Sequence, residues 1–431
     1  EPYDRRFEGG IVIAQEDVDG AVDGLVVGVD LLRPGEEGRR ATGRVVEVLG
    51  PPDSPATDLK AVVRKYGLRE TFPPDVLEEA NAIPDVVRPQ DTAGREDFRS
   101  LPIVTIDGET AMDFDDAVYV RRHPDGAYEL QVHIADVAHY VRASSPLDKE
   151  ALERATSVYF PGTSLPMLPH RLSNGICSLN PGVDRLVQSC LMTIDRNGVV
   201  TSHRLCEGVI RSAARMTYTE VARLLGAKGP AEEAAARRER EPVADLKLME
   251  ELCGVLNARR RRLGSIDFDL PEPEVILAAT GEMTGILALE RNVAHRIIEE
   301  FMLAANETVA RHLWKARVPS MYRIHERPDP KRLEEFDGIA QAFGYYLPRP
   351  FVSIEPKAFQ AILDRAAGRP EEKFLAKLML RSMKQARYSE KRDIHFGLAS
   401  TCYTHFTSPI RRYPDLVVHR ALIAALKSEA F

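Results

Sequence analysis

The chemistry of this chain is concentrated in Asp107-Gly-Glu-Thr-Ala-Met-Asp113-Phe-Asp115-Asp116, where four aspartates and Glu109 fall within ten residues. The stretch follows the apolar run Ile103-Val104-Thr105-Ile106, which reads as a buried strand. Carboxylates crowded at a strand end repel one another, and each favours protonation or solvation. Something positive must compensate. An all-oxygen set without nearby Cys or His suits a hard cation, Mg²⁺ with Mn²⁺ as the alternative. A solvated acidic loop is the competing reading. Phe114 inside the cluster and apolar runs on both sides (103–106 and 117–120) favour the cation. An EF-hand is excluded, because counting from Asp113 the sixth loop position is not Gly and the twelfth is not Glu.

A second constellation lies near the end of the chain, Tyr403-Thr-His405-Phe-Thr407-Ser408-Pro-Ile-Arg411-Arg412-Tyr413, just before a helix entered at about Pro414. Hydroxyls, paired arginines and aromatics meet there. Arg forks onto phosphate, and a helix N-terminus adds partial positive charge. An ordinary capped helix entry with surface arginines is the plain alternative. Taken together, the two segments suit metal-assisted hydrolysis of a phosphodiester. A cation would polarise the phosphoryl oxygens, and Arg411 would neutralise charge developing in the transition state. Tyr159 and Phe268 are candidates to stack on bases, at ~1–3 kcal/mol per base.

The elements that must position these groups follow from pattern. Residues 7–14, 24–32 and 40–49 read as short strands punctuated by Gly and Pro, as in a small antiparallel OB-like barrel. Helices are expected over 58–66 and 74–82. After the aspartates come a hairpin (117–122 and 127–135) and a helix over 146–154, with Ser145 as N-cap, Pro146 at N1 and Asp148 at the capping-box place. Strands are expected at 187–194, 199–210, 265–270 and 275–279, with helical structure over 217–263. The four arginines 259–262 suit a helix C-terminus, and phosphate contact is their sharper reading. Val293, Ile297, Phe301, Ala305, Val309 and Leu313 recur every four residues and predict a core-facing helix over 293–316. A later helix over 371–391 would carry a file of Lys373, Lys377, Arg381, Lys384, Arg387 and Lys391 with no carboxylate inside it. That is either a solvated face or a ridge that tracks a nucleic-acid backbone.

Composition sets the bounds. A chain of 431 residues exceeds one ordinary domain, and its 44% hydrophobic content can fill a sizeable core. Net charge is −7, so any nucleic-acid partner must be met by locally concentrated cations. Cysteines 177, 190, 206, 253 and 402 are scattered, with no CxxC, which suggests neither zinc nor a disulfide framework and fits a reducing cytoplasm. No run approaches a membrane span and no signal peptide is visible. The chain begins with Glu1 rather than Met, as a piece of something longer would.

At this point the residues resemble the RNB exoribonucleases. The resemblance rests on 105–116, Val132-His-Ile-Ala-Asp-Val-Ala-His-Tyr-Val141, Thr156-Ser-Val-Tyr159 with Leu165-Pro-Met-Leu-Pro169, Ile266-Asp-Phe-Asp-Leu-Pro271, 290–306, Tyr322-Arg-Ile-His-Glu326 and 403–413, in order along residues 100–420. Residues 4–50 look like the family's second cold-shock barrel. The resemblance implies an α+β chain: a small N-terminal OB-like cold-shock barrel (1–56), a connector with short helices (57–96) and a large α/β RNB catalytic domain (97–431). It implies that the end of that domain and a C-terminal RNA-binding OB domain lie outside the chain. The implied activity is processive, Mg²⁺-dependent 3′→5′ hydrolysis of RNA to nucleoside 5′-monophosphates by a cytoplasmic monomer. The implied partner is single-stranded RNA, or structured RNA with a 3′ overhang, with no membrane. By motif position Asp107, Asp113, Asp115 and Asp116 resemble the metal and catalytic aspartates, with Asp115 the one activity tolerates least. Tyr159 would clamp the terminal base beside Phe268, and Arg411 would touch the scissile phosphate. Ser408 and Arg412 would join it on RNA. Tyr218 and Glu300 would read the ribose 2′-hydroxyl. One departure is Arg392-Asp-Ile-His395-Phe-Gly-Leu398, where the family usually shows Asn-x-Gly-His-Phe-Gly-Leu. Ile394 in place of that first Gly bears on loop geometry. The competing classes are a non-catalytic RNA-binding protein and a metal-dependent DNase.

Overall fold

The structure is a computed structural model that describes residues 2, 9–36, 39–226, 245–268, 272–278, 283–289 and 291–427. The chain divides into two compact units. The smaller comprises Glu1–Phe72, Val158–Leu165 and Pro273–Leu287. Its sheet has Ala41–Gly50 at the centre, parallel to Ile11–Ile13 and antiparallel to Val26–Arg33. Alternation buries Ala41, Val45 and Leu49. Gly43 sits where the three strands crowd, and a Cβ there would run into Val29 and the Asp30 carbonyl. The helix Pro55–Lys65 packs Ala61 and Val63 beneath the sheet. It begins three residues before the expected start. Two hairpin pieces complete the unit, one of them pairing Val158–Phe160 with Thr163–Leu165.

The larger unit is built on a seven-stranded sheet. In spatial order its strands are Ala214–Thr217, Val104–Asp107, Asp116–Arg122, Tyr128–Ala135, Asp184–Ile194, Val200–Arg211 and Glu96–Asp97. The long central strands match the expected hairpin and the expected apolar runs. Val118, Val132 and Cys190 lie opposite one another in register and face one core. The helix Val293–Lys315 lays Ile297, Phe301, Ala305, Val309 and Leu313 into that core, all with no exposed surface. Asn292 caps it by accepting from the Ala294 and His295 amides. Helices Tyr218–Gly226 and Leu246–Leu263 cover the same face. Of the segment expected to be helical, residues 227–244 lie outside the described residues.

Four expectations are corrected. The helix expected over 371–391 runs only Glu372–Ser382, since Arg387–Ser389 leave it to pair with Tyr322–Ile324 as a two-stranded sheet. Lys384 and Arg387 are consequently ion-paired with Glu326, so the cationic file is broken. Residues 265–268 form no strand, residues 269–271 lie outside the described set, and the following strand is Glu272–Leu277. Asp148 donates its amide to the Ser145 cap, but its carboxylate reaches Tyr413, Arg420 and the Ser144 amide instead of closing a capping box.

Helices Pro330–Gln341, Pro356–Ala366 and Glu372–Ser382 enclose a second core around Phe336, Phe359, Met379 and Phe396. Ile394 packs against it and does not adopt a positive φ, so this position accepts a side chain. All five cysteines are free. Among the described residues no helix is long and apolar enough to cross a membrane.

Candidate active site

The aspartate loop connects two neighbouring antiparallel strands. Asp107 ends one and Asp116 begins the next, so both lie at the same end of the sheet. The loop is fastened from beneath by Ser178, which has no exposed surface. Its hydroxyl accepts from the Phe114 amide at 3.0 Å and donates to the Met112 carbonyl at 2.9 Å. The Leu179 amide donates to the Phe114 carbonyl and the Ala135 amide to that of Asp115. Phe114 is thereby buried, and Asp115 beside it goes with it, while Asp113 stays partly exposed.

Residues 403–413 arrive over this loop from 295 positions away. The Ile410 amide donates to Asp115 Oδ1 at 2.8 Å. Arg411 Nε stands 3.5 Å from Asp115 Oδ2, an ion pair rather than a hydrogen bond. The arginine segment is held in turn by buried groups. Asn306 accepts from the Phe406 amide at 2.8 Å, and His419 Nε2 donates to the Phe406 carbonyl at 2.7 Å. The Thr156 hydroxyl and Ser157 amide donate to the Arg411 carbonyl. Arg411 keeps its side chain 45% exposed, steadied by a hydrogen bond to Ser408 Oγ at 3.0 Å. Arg412 is placed differently. It forks onto the fully buried Asp415, which also accepts from the Ser408 amide. The pair that looks equivalent in sequence therefore divides into one exposed guanidinium and one committed inside the protein.

Burial dominates the electrostatics. It pushes the Asp107 carboxyl up to about 8, helped by Asp116 and Asp113 and opposed by Arg215 and Arg411. It pushes Asp116 up to about 6 against the pull of Arg411 and Arg412. Asp115 is raised well above the usual carboxylate range by burial, against Arg411 and the Ile410 amide. Asp107 Oδ2, Asp115 Oδ2 and Asp116 Oδ2 are buried and accept no hydrogen bond. Buried acceptors without partners are costly, and a hard divalent cation is the ligand their chemistry fits. Among the described residues no group of three or more His, Cys, Asp or Glu side chains is already gathered in a metal-holding arrangement.

Protons and a divalent cation compete for the same oxygens. Cation affinity is thus expected to rise as pH goes from about 6 to about 8, the values to which Asp116 and Asp107 are raised. Mn²⁺ titration across that range reads it, and a flat profile would mean other groups hold the ion. The same shifts set the stability of the cation-free protein. Folded carboxyls with raised pKa hold protons that the unfolded chain has released. Their favourable share is full below about pH 4 and lost as pH rises through the folded values.

The other candidates are spread out. Tyr218 follows the strand whose Thr217 pairs with Asp107, and it stacks on His295 with centroids 3.9 Å apart. Its hydroxyl is pushed up by burial, then by the charges of Asp116 and Asp107. Glu300 is buried between helices, where Asn257 and Arg260 hold its carboxylate, and none of those contacts reaches the aspartates. Phe268 borders a cleft of about 610 Å³ with Asp267, Arg296 and Lys373. Tyr159 belongs to the smaller unit, on its Val158–Phe160 strand, and is 55% exposed. Of the four arginines 259–262, Arg260 binds Glu300, Arg261 pairs with Asp364 and Arg262 donates to the Asn197 carbonyl. Sequence reading passed over Ser178, Arg215, Asn306 and Asp415. Asp415, three positions after Arg412 in the first turn of a helix, carried a local signal. The others act across pairings that no local pattern announces.

Fold and site define a protein with a mixed sheet ending in buried carboxylates, overlaid by an arginine-bearing loop. The chain belongs to the RNB family: the RNB domain matches residues 95–428, and a Cold shock domain matches residues 1–73. It is an α+β chain with a small cold-shock domain followed by the large RNB domain. It is similar to ribonuclease R of Aquifex aeolicus, 44% identical over 428 residues, covering 99% of this chain and 60% of that one. Ribonuclease R of Escherichia coli is 41% identical, covering 99% of this chain and 52% of its own length. This chain thus spans between about half and 60% of these two relatives. Among solved structures, the apo form of Mycoplasma genitalium RNase R superposes with a TM-score of 0.89 at 30% identity, covering 99% of this chain and 66% of that one. The same protein has been solved with ribose methylated single-stranded RNA and with double-stranded RNA, each with a TM-score of 0.88 at 30% identity; these matches cover 97% of this chain and 65% and 74% of the respective neighbours.

Proposed function

We propose that this chain carries the catalytic centre of a processive 3′→5′ exoribonuclease that hydrolyses RNA to nucleoside 5′-monophosphates. The observation that carries the reading is the hydrogen bond from the Ile410 amide to Asp115, which brings Arg411 against the buried carboxylates. Asp107, Asp113, Asp115 and Asp116 are the residues we assign to a divalent cation, Mg²⁺ or Mn²⁺. Such an ion, when bound, supplies Lewis acidity toward phosphoryl oxygens and an acidified water. Arg411 offers a guanidinium that faces solvent on one side and Asp115 on the other, as needed to hold a phosphate oxygen and meet charge as it develops. Ser408 orients that guanidinium, and Arg412 keeps the loop in place through Asp415. Tyr218 is a candidate reader of the ribose hydroxyl. Phe268 and Tyr159 are aromatic surfaces suited to stacking on bases. Glu300, committed to Arg260, acts through helix packing in this reading.

The substrate we assign is single-stranded RNA, or structured RNA with a 3′ overhang, in line with what the Mycoplasma relative is described with. We place the protein in the cytoplasm as a monomer, where five free cysteines suit a reducing compartment. The working boundaries are a barrel over 1–56, a connector over 57–96 and the catalytic domain from 97.

The test is digestion of RNA labelled in its 3′-terminal nucleotide, and of the same oligonucleotide as DNA, with and without EDTA, resolved for product size. Mononucleotides from RNA alone, abolished by EDTA and restored by Mg²⁺, are expected. Internal cuts, equal cleavage of DNA, or binding without cleavage would each reject the assignment.

A further inference from the structure

Arg215 lies 99 positions from the last of the four aspartates, and no motif points to it. It sits on the edge strand Ala214–Thr217, a parallel neighbour of Val104–Asp107 in which Arg215 pairs with Thr105 and Thr217 with Asp107. Its Nη2 donates to the Gly108 carbonyl at 2.7 Å and to the Glu109 carbonyl at 2.8 Å. Its guanidinium also lies 5.6 Å from the centroid of the Phe114 ring. A single side chain thus grips the acidic loop where it leaves Asp107 and rests on it again between Asp113 and Asp115. Its Nε is buried and donates to no protein acceptor.

We propose that Arg215 is a positioning residue for the aspartate loop: by fastening its first turn and resting on Phe114, it sets the separation of Asp107 from the other carboxylates, and so the affinity of the loop for a divalent cation. The inference rests on reading those aspartates as cation ligands. It makes a prediction of unusual sign. Deleting a positive charge beside carboxylates would, by Coulomb attraction alone, tighten cation binding. Losing a residue that orients ligands weakens it, typically by about 10–100-fold.

The experiment is Mn²⁺ binding to the full chain without RNA, read from the EPR signal of free Mn²⁺, for wild type, Arg215→Met and Arg215→Gln. Positioning predicts affinity weakened by about 10–100-fold in Arg215→Met, with partial recovery in Arg215→Gln, whose amide can still donate to a carbonyl. Tighter or unchanged binding in the variants overturns the proposal while the cation reading stands. Failure of the wild type to bind Mn²⁺ removes the cation reading and this inference with it. Should Arg215→Met not fold, as judged by thermal melting, Arg215→Gln against wild type decides alone, since it too must bind more weakly.

Discussion

Asp115→Asn is expected to lower RNA turnover by at least about a thousandfold while RNA affinity stays within a few-fold of wild type. The size follows from losing several kcal/mol of charge stabilisation at a phosphoryl centre, each 1.36 kcal/mol being tenfold in rate. The selectivity follows from geometry. The Asn Oδ1 can still accept the Ile410 amide, so the arginine loop keeps its seat. What disappears is the negative charge facing Arg411 Nε and offered to a cation. Melting temperature is expected not to fall, because burial already disfavours the Asp115 charge. Single-turnover cleavage at saturating enzyme and RNA anisotropy in EDTA separate the two quantities. A rate within tenfold of wild type would remove Asp115 from the chemistry. Loss of RNA binding would make it a folding residue.

Arg411→Met comes next, with an expected fall in kcat of about 100- to 1,000-fold, the scale of removing one preorganised group that meets transition-state charge. Met keeps most of the aliphatic volume, so the loss reports the guanidinium. KM should move much less, because the group matters most as charge builds on the phosphoryl oxygens. Arg411→Lys should recover only part, since an ammonium lacks the fork that can hold Ser408 and an oxygen together. Arg412→Met gives the contrast: it breaks a pair with the buried Asp415, so its cost should appear in melting temperature. A defect confined to KM in Arg411→Met would recast Arg411 as a binding residue.

Local patterns carried much of this architecture. The four-residue apolar period of the Val293–Lys315 helix and the Ser145 cap follow from neighbours three or four positions apart. The acidic loop was legible because it interrupts two apolar strands, and Phe114 within it is buried as that reading needs. Legibility failed where distant pairing outweighed local preference. The helix read through 391 ends at Ser382 because Tyr322–Ile324 offers Arg387–Ser389 a strand partner, and Glu326 then takes Lys384 and Arg387. Arg260 reads as an exposed cation at a helix end, yet it closes on Glu300, 40 positions away.

By itself, then, the order of residues determined which groups are available: four carboxylates on one loop, an arginine segment before a helix, and the strands and helices that carry them. These follow from periodicity and capping, which act over a few residues and need no fold to be evaluated. Only the tertiary structure decided which arginine faces the aspartates and which is spent on Asp415. It also decided that Ile410 reaches Asp115 across 295 residues, and that Arg215 holds the loop from a neighbouring strand. The reason is physical: hydrogen bonds and charges act over a few ångströms, and the folded sheet alone sets which distant residues come that close.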